Sequence, residues 1–207
     1  MSSPAEPLSD GRAIRGQATR DRIADAARDV LIEHGHGGTS TRAVADRAGV
    51  RLSLVHYHFG GKHGLLIEVL ARENAELLER QRDLYAAPGA LAEKWRIACD
   101  LLEDDLGSGY VRVLWELWAA GLADPELAAG WRSAMAGWRD LLTSVFEAWA
   151  ADHEVVLPLS PRAIATLVAN LFQGIEIERL AGVSLEDAPH REVLDWIGEL
   201  IAAAERP

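Results

Sequence analysis

One stretch decides how this chain is read: TSTRAVADRAGVRLSLVHYHFGGKHGL, residues 39–65. Thr39 or Ser40 offers an N-cap hydroxyl. Val44, Ala45 and Ala48 then fall at helical spacing, so a short helix is predicted over 41–48. Gly49 stands where a tight turn needs permissive backbone, and Val50 can anchor that turn in a core. A second short helix is predicted over 52–58. It runs out at Gly60-Gly61, and Lys62 opens a further helix that continues through Leu65. Two short helices joined by a glycine turn make a helix-turn-helix.

Upstream, Ile23, Ala26, Ala27, Val30 and Leu31 share one face of a helix predicted from about Gln17 to His34. Gly35 sits at the position that ends a helix, and the run GHGG prevents continuation. His34 and His36 flank that break without a third ligand nearby in sequence, so no metal site is expected. Residues 1–16, rich in Pro, Ser, Gly and Arg, read as a disordered arm. Its Arg12 and Arg15 either touch a phosphate backbone or belong to a solvated tail. Downstream, Leu65, Leu66, Val69, Leu70, Leu77 and Leu78 give a long apolar stripe to a helix from near Gly61 to about Tyr85. After Ala87-Pro88-Gly89, five more helices are placed at about 90–106, 110–121, 125–151, 161–181 and 189–205. Their stops are Gly107-Ser108-Gly109, Ala123-Asp124-Pro125, Pro158-Leu159-Ser160-Pro161 and Asp187-Ala188-Pro189. No stretch alternates as a strand does. The expected fold is all-α with about nine helices: a three-helix helix-turn-helix domain over 17–64, and a larger helical domain over 65–207.

The bulk composition fits a globular protein of 207 residues, 49% hydrophobic and 26% charged, long enough to bury a core without staples. With one cysteine, Cys99, no internal disulfide can form. No apolar run approaches the roughly 18 residues of a membrane span, and the N-terminus has no signal-like apolar region. A cytoplasmic location with no membrane partner is therefore expected. The net charge of −11 argues against a nucleic-acid partner until it is divided. Residues 11–64 carry nine Lys/Arg against five acids, a net +4, whereas residues 65–207 carry −13. A cationic head on an acidic body points to nucleic acid at one end.

The motifs narrow this further. The runs TSTRAVADRAGV, VHYHF and GGKHGL resemble the N-terminal domain of the TetR family of bacterial transcriptional repressors. The resemblance rests on the turn Ala48-Gly49-Val50, on Tyr57-His58-Phe59 closing the second helix, and on Lys62 and Leu65 at their spacing beyond it, and covers roughly residues 17–70. It implies that the second helix enters the major groove of double-stranded DNA. Ser40, Thr41 and Lys62 would then contact phosphate, and Arg42 would reach a guanine edge. Arg51, Leu52, Ser53, His56, Tyr57 and His58 would make up the reading face, with Leu52 or Leu54 either meeting a thymine methyl or packing inward. Phe59 reads as core. Arg51 replaces the small polar residue usual after the turn, and His56 replaces a tyrosine, so the family's operator does not carry over.

The larger domain concentrates tryptophan: Trp95, Trp115, Trp118, Trp131, Trp138 and Trp149. Either they form the core, or some line a cavity for a flat ligand, as the resemblance implies. Tyr110, Leu114, Trp115, Trp118, Trp131, Met135, Trp138 and Phe172 are the candidate lining, with a small hydrophobic or aromatic effector expected. Glu116 and Asp140 nearby would suit a cationic one. The last two helices carry the stripes Ile164, Leu167, Val168, Leu171, Gly174, Ile175 and Val193, Leu194, Ile197, Leu200, Ile201. They read as a homodimer interface or as faces turned to the chain's own core. Glu176 and Glu178 read as rim or solvent-facing.

An enzyme is the competing class, yet the chain has no G-x-S-x-G, H-E-x-x-H, dinucleotide or phosphate-loop signature, and Cys99 lies in an apolar helical run. No cofactor is expected. The leading expectation is a ligand-responsive repressor that binds a near-palindromic operator as a homodimer. The alternatives are a ligand-independent helix-turn-helix protein and, behind it, an all-α enzyme.

Overall fold

The computed structural model describes the backbone of residues 8–206 and the side chains of residues 13–206. Every regular element among them is a helix: α1 (Leu8–Gly38), α2 (Thr41–Ala48), α3 (Leu52–Phe59), α4 (Lys62–Ala86), α5 (Leu91–Gly107), α6 (Tyr110–Gly121), α7 (Pro125–Asp152), α8 (Pro161–Leu180) and α9 (His190–Ala204). They divide into two compact units, residues 1–70 and 71–207. The boundary falls inside α4, so its first turns belong to one unit and the rest to the other.

The arm expected over 1–16 is corrected in part. Residues 1–7 lie outside those described, but α1 begins at Leu8. Within the described part, Thr19 Oγ1 donates to the Arg15 carbonyl and Gln17 Nε2 to Asp21, local contacts that extend the helix upstream of its buried face. At the other end Gly35 has φ 65° and ψ 179°, which ends the regular helix before the final turn at 36–38.

In the first unit α1 packs on α2 and α3, and α2 on α3. Ile23, Ala27, Val30 and Leu31 of α1 are buried, as are Val44 and Ala45 of α2, Val55 and Phe59 of α3, and Leu65, Leu66 and Val69 of α4. Ser40 caps α2 by accepting from the Ala43 N–H. Thr39 turns inward instead, its hydroxyl donating to the Gly35 carbonyl at 2.8 Å. Gly49 takes the left-handed conformation (φ 65°, ψ 36°) that closes α2, and Val50 N–H returns to the Ala45 carbonyl.

In the second unit α7 packs on α6 and α8, α5 on α6, α8 and α9, and α6 on α8. Caps mark the boundaries: Asp124 accepts from Glu126 and Leu127 N–H ahead of Pro125, and Ser160 accepts from Ala163 N–H ahead of Pro161. The N-terminus of α5 has no local cap. Glu205, just past α9, accepts from Leu91 N–H at 2.6 Å and from Trp149 Nε1 at 3.1 Å. An anion from the far end of the chain thus satisfies the exposed amides of α5. Cys99 is buried in the core of this unit, and that burial pushes its thiol up to about 12, as suits a small hydrophobe. No helix of the described residues is long and apolar enough to cross a membrane.

Candidate nucleic-acid interface and internal cavity

Helix α3 divides cleanly between its faces. Val55 and Phe59 are buried in the first unit, and Leu54 is half-buried. Arg51, Leu52, Ser53, His56 and Tyr57 are exposed, with Leu52 41% and Tyr57 80% accessible. An apolar side chain and a tyrosine left so open at the start and end of one eight-residue helix serve no packing purpose. Arg42 of α2 is exposed and Thr41 half-exposed, while Ser40 retains its hydroxyl proton although its oxygen is used as the cap. His58 is half-buried, its ring 5.0 Å from that of Tyr57 and 6.2 Å from that of Phe59. Of the two leucines weighed for base contact, Leu52 is therefore the exposed one.

Two cations do more than their position in sequence suggested. Lys62 Nζ donates to the His36 carbonyl at 2.7 Å, and partial burial lowers its pKa. It ties the first turn of α4 to the end of α1, leaving two of its three N–H groups for an outside acceptor. Arg20 was not singled out in the sequence, yet it holds the end of α3. Its guanidinium donates to the His58 carbonyl at 2.9 Å, pairs with Glu68 at 2.5 Å, and lies 4.7 Å from the centre of the Phe59 ring. Its partners are 38 and 48 residues away, which no local pattern reveals. Arg47 joins α2 to α1 through a two-pronged pair with Glu33, which holds the Glu33 carboxyl below its ordinary range.

The second unit encloses a cavity of about 30 Å³. Of the eight residues expected to line a pocket, Tyr110, Leu114, Met135, Trp138 and Phe172 border it. Trp115, Trp118 and Trp131 do not. Their rings meet one another edge-on or tilted at 5.2–6.5 Å between α6 and α7, and the last two border a separate open cleft of about 190 Å³. The cavity wall also includes Leu77, Gln81 and Tyr85 of α4, Trp95 and Asp105 of α5, and Val168 and Glu176 of α8. Glu176, expected at the rim, is 8% exposed and accepts from Trp115 Nε1 at 3.0 Å. Burial pushes its carboxyl up to about 7. Asp105 is buried as well; desolvation raises its pKa, and Arg80 opposes this from 2.7 Å. Burial raises the Tyr110 phenol far above its ordinary range, and Glu176 and Asp105 reinforce that.

The stripes of the last two helices split. Val168, Ile175 and Leu194 are buried in the unit's own core, correcting their assignment to an interface; Ile164, Leu171, Ile197 and Ile201 are partly buried against that core. Leu167, Gly174, Val193 and Leu200 remain exposed, joined by Trp196, with Leu167 62% and Leu200 50% accessible. The helical stripe on each element was read correctly, but a helix packed inside a bundle turns only part of an apolar face outward. Among the described residues no group of three or more His, Cys, Asp or Glu side chains is arranged to hold a metal ion.

An exposed α3 on a helix-turn-helix, followed by a second all-helical unit, defines the class of bacterial helix-turn-helix regulators. Residues 23–69 match the model for bacterial regulatory proteins of the tetR family. The chain is 24% identical over 122 residues to the transcriptional regulator UidR of Escherichia coli strain K12, a match that spans 59% of this chain and 61% of UidR. It is 30% identical over 113 residues to the transcriptional repressor AcnR of Corynebacterium efficiens, spanning 55% and 56% of the two chains. The chain thus covers about three fifths of the length of these curated relatives. A transcriptional regulator from Rhodococcus sp. Rha1 has the same fold, with a TM-score of 0.75 at 24% identity over 91% of this chain and 98% of that one. Residues 23–69 thus match the TetR family, and the whole chain shares its fold with a solved transcriptional regulator.

Proposed function

We propose that this chain is a DNA-binding repressor that acts as a homodimer and releases its operator when a small hydrophobic effector enters the second unit. The observation that carries the reading is the open face of α3, where Arg51, Leu52, Ser53, His56 and Tyr57 stand clear of the unit's core beside Arg42. Side chains of these kinds, projecting from the second helix of a helix-turn-helix, suit base edges and phosphates. Reading two half-sites about 34–36 Å apart requires two heads. The exposed Leu167, Gly174, Val193, Trp196 and Leu200 support pairing of α8 and α9 with those of a second copy. Support for an effector comes from the second unit's cavity, bordered by Leu77, Gln81 and Tyr85 of the same helix whose first turn carries Lys62. A ligand that enlarges the cavity displaces those residues and hence α4. It lowers DNA affinity only to the extent that it binds the released state better.

The test is selection of bound duplexes from a random pool, followed by anisotropy titration of the recovered sequence. Arg42→Ala is expected to relax preference at one base position, and Lys62→Ala to weaken binding across all sequences. Recovery of no common sequence, or unchanged affinity in both variants, refutes the reading.

A further inference from the structure

The cavity of the second unit has an apolar wall and a polar end whose chemistry is lopsided. Trp95, Trp138 and Phe172 supply aromatic faces: the Phe172 ring meets Trp95 edge-on at 5.8 Å and Trp138 at 5.9 Å. At the polar end stand Tyr110 from α6, Asp105 from α5, Gln81 from α4, and Glu176 and Gln173 from α8. Two polar atoms of lining residues, Tyr110 Oη and Trp138 Nε1, are buried with no hydrogen-bond partner among the described residues. Unpaired buried groups are costly, and a water, an ion or a ligand held in the cavity can satisfy them. The charge is one-sided. Glu176 and Asp105 both act on Tyr110, and Arg80, which also acts there, is already paired with Asp105. Among the described residues Glu176 accepts one side-chain hydrogen bond, from the neutral Trp115 N–H, so its ionised form has no cation beside it to offset its burial.

Accepting that the cavity is the effector site, we propose that its ligand is a hydrophobic organic cation: a protonated amine that pairs with Glu176 and lays an aromatic body against Trp138 and Phe172. The cation suits the acidic end of the cavity, where its N–H groups can donate to Glu176 and to Tyr110 Oη. It pairs with Glu176, on which no cation among the described residues acts, and its presence beside the indole and phenyl faces adds cation–π attraction in a desolvated setting. An anionic ligand of the same shape would meet Glu176 and Asp105 with the wrong sign. The volume of about 30 Å³ holds roughly two waters as it stands, so the body must displace wall residues. Met135, with three rotatable bonds, and Tyr85, which also borders an open groove of about 460 Å³ on the outer side of the unit, are the residues placed to yield.

The test uses three matched probes on the full chain: phenethylamine, 2-phenylethanol and phenylacetate. Binding is followed by calorimetry and by tryptophan fluorescence, every tryptophan being in the second unit. The amine is expected to bind at least about tenfold more tightly than the alcohol, and phenylacetate more weakly than either. Glu176→Gln should erase the preference for the amine while leaving the alcohol's affinity within about threefold. In the unsubstituted protein, amine affinity should rise about tenfold between pH 6 and pH 8 as Glu176 ionises, while alcohol affinity stays level. That second measurement needs no variant. Equal binding of amine and alcohol, or a preference that survives in Glu176→Gln, overturns the assignment of a cation but leaves an effector cavity standing. Failure of all three probes to bind overturns both.

Discussion

Replacing Arg20 with alanine removes three contacts at the end of α3 in one step. The bond to the His58 carbonyl is from a charged donor, a type that contributes about 1.5–3 kcal/mol when well shielded. Arg20 is one-third exposed and its partner Glu68 about one-quarter, so the low end applies, and the ion pair adds less than about 1 kcal/mol after solvent screening. The guanidinium over the Phe59 ring adds about 0.5–1 kcal/mol. These contacts share one side chain and do not sum independently, which leaves a loss of about 2 kcal/mol. That corresponds to about a 30-fold increase in local opening of α3. Tryptophan fluorescence cannot see it, since Trp95, Trp115, Trp118, Trp131, Trp138, Trp149 and Trp196 all lie beyond residue 70. Amide hydrogen exchange can. Protection over Val55–Gly60 should fall about 30-fold in Arg20→Ala and by a smaller factor in Arg20→Lys, which keeps the charge but reaches fewer acceptors. Operator affinity should fall with it, because the loosened helix is the one that would read bases. Exchange in Arg20→Ala within about threefold of the parent would refute the argument that this arginine positions α3.

Gly64→Ala should destabilise the first unit by about 1–3 kcal/mol in a far-UV circular dichroism melt, because a Cβ there would stand 2.1 Å from the Phe59 carbonyl oxygen, a backbone atom with little room to move. Glu176→Gln should act through pH: burial raises this carboxyl in the folded state from 4.5 to about 7, so the parent pays a growing penalty as pH climbs through that window, complete above it. Urea unfolding followed by tryptophan fluorescence should therefore show the variant more stable by on the order of 3 kcal/mol at pH 8 and by less than about 1 kcal/mol at pH 5; a pH-independent difference would contradict it. Leu167→Asp combined with Leu200→Asp, at positions 62% and 50% exposed, should leave the melting temperature nearly unchanged but shift sedimentation toward a monomer; a dimer that persists would move the interface elsewhere.

What the sequence disclosed and what it hid follow from the range of the interactions. Helix boundaries were legible because their causes are local: Gly49 closing α2, Asp124-Pro125 opening α7 and Ser160-Pro161 opening α8 act within a turn of themselves. The open face of α3 was legible for the same reason, since its buried and exposed positions follow one helical period. The cavity was not. Trp115, Trp118 and Trp131 share a face in sequence terms with residues that do line it, but which neighbour that face meets depends on how α6, α7 and α8 pack, and periodicity carries no such information. Glu176, between two isoleucines on α8, looked like a rim residue because ionised carboxylates are seldom buried. Only the Trp115 N–H, 61 residues earlier in the chain, marks where it lies. Glu205 as the cap of α5 escaped for the same reason, its partner Leu91 being 114 residues away.

The charge of the head shows how a count differs from a field. Nine cations against five acids over residues 11–64 pointed to nucleic acid at this end of the chain. Several of these are committed inside the unit, among them Arg20 to Glu68 and the end of α3, Arg47 to Glu33, and Lys62 to the His36 carbonyl. Each fastens α1 to a later helix, so their charge is spent on the geometry of the reading head before any phosphate is met. Lys62 is free to do both kinds of work under the proposed function, since an ammonium bound to one carbonyl still projects two donors. Arg42 on α2 and Arg51 at the N-cap of α3 stand on the exposed side, and with Lys62 they are the cations we propose to touch DNA while α3 is held beneath them. The excess of +4 matters less than this division, because steering needs only net charge, whereas a readable helix needs arginines that hold it and others that reach away from it.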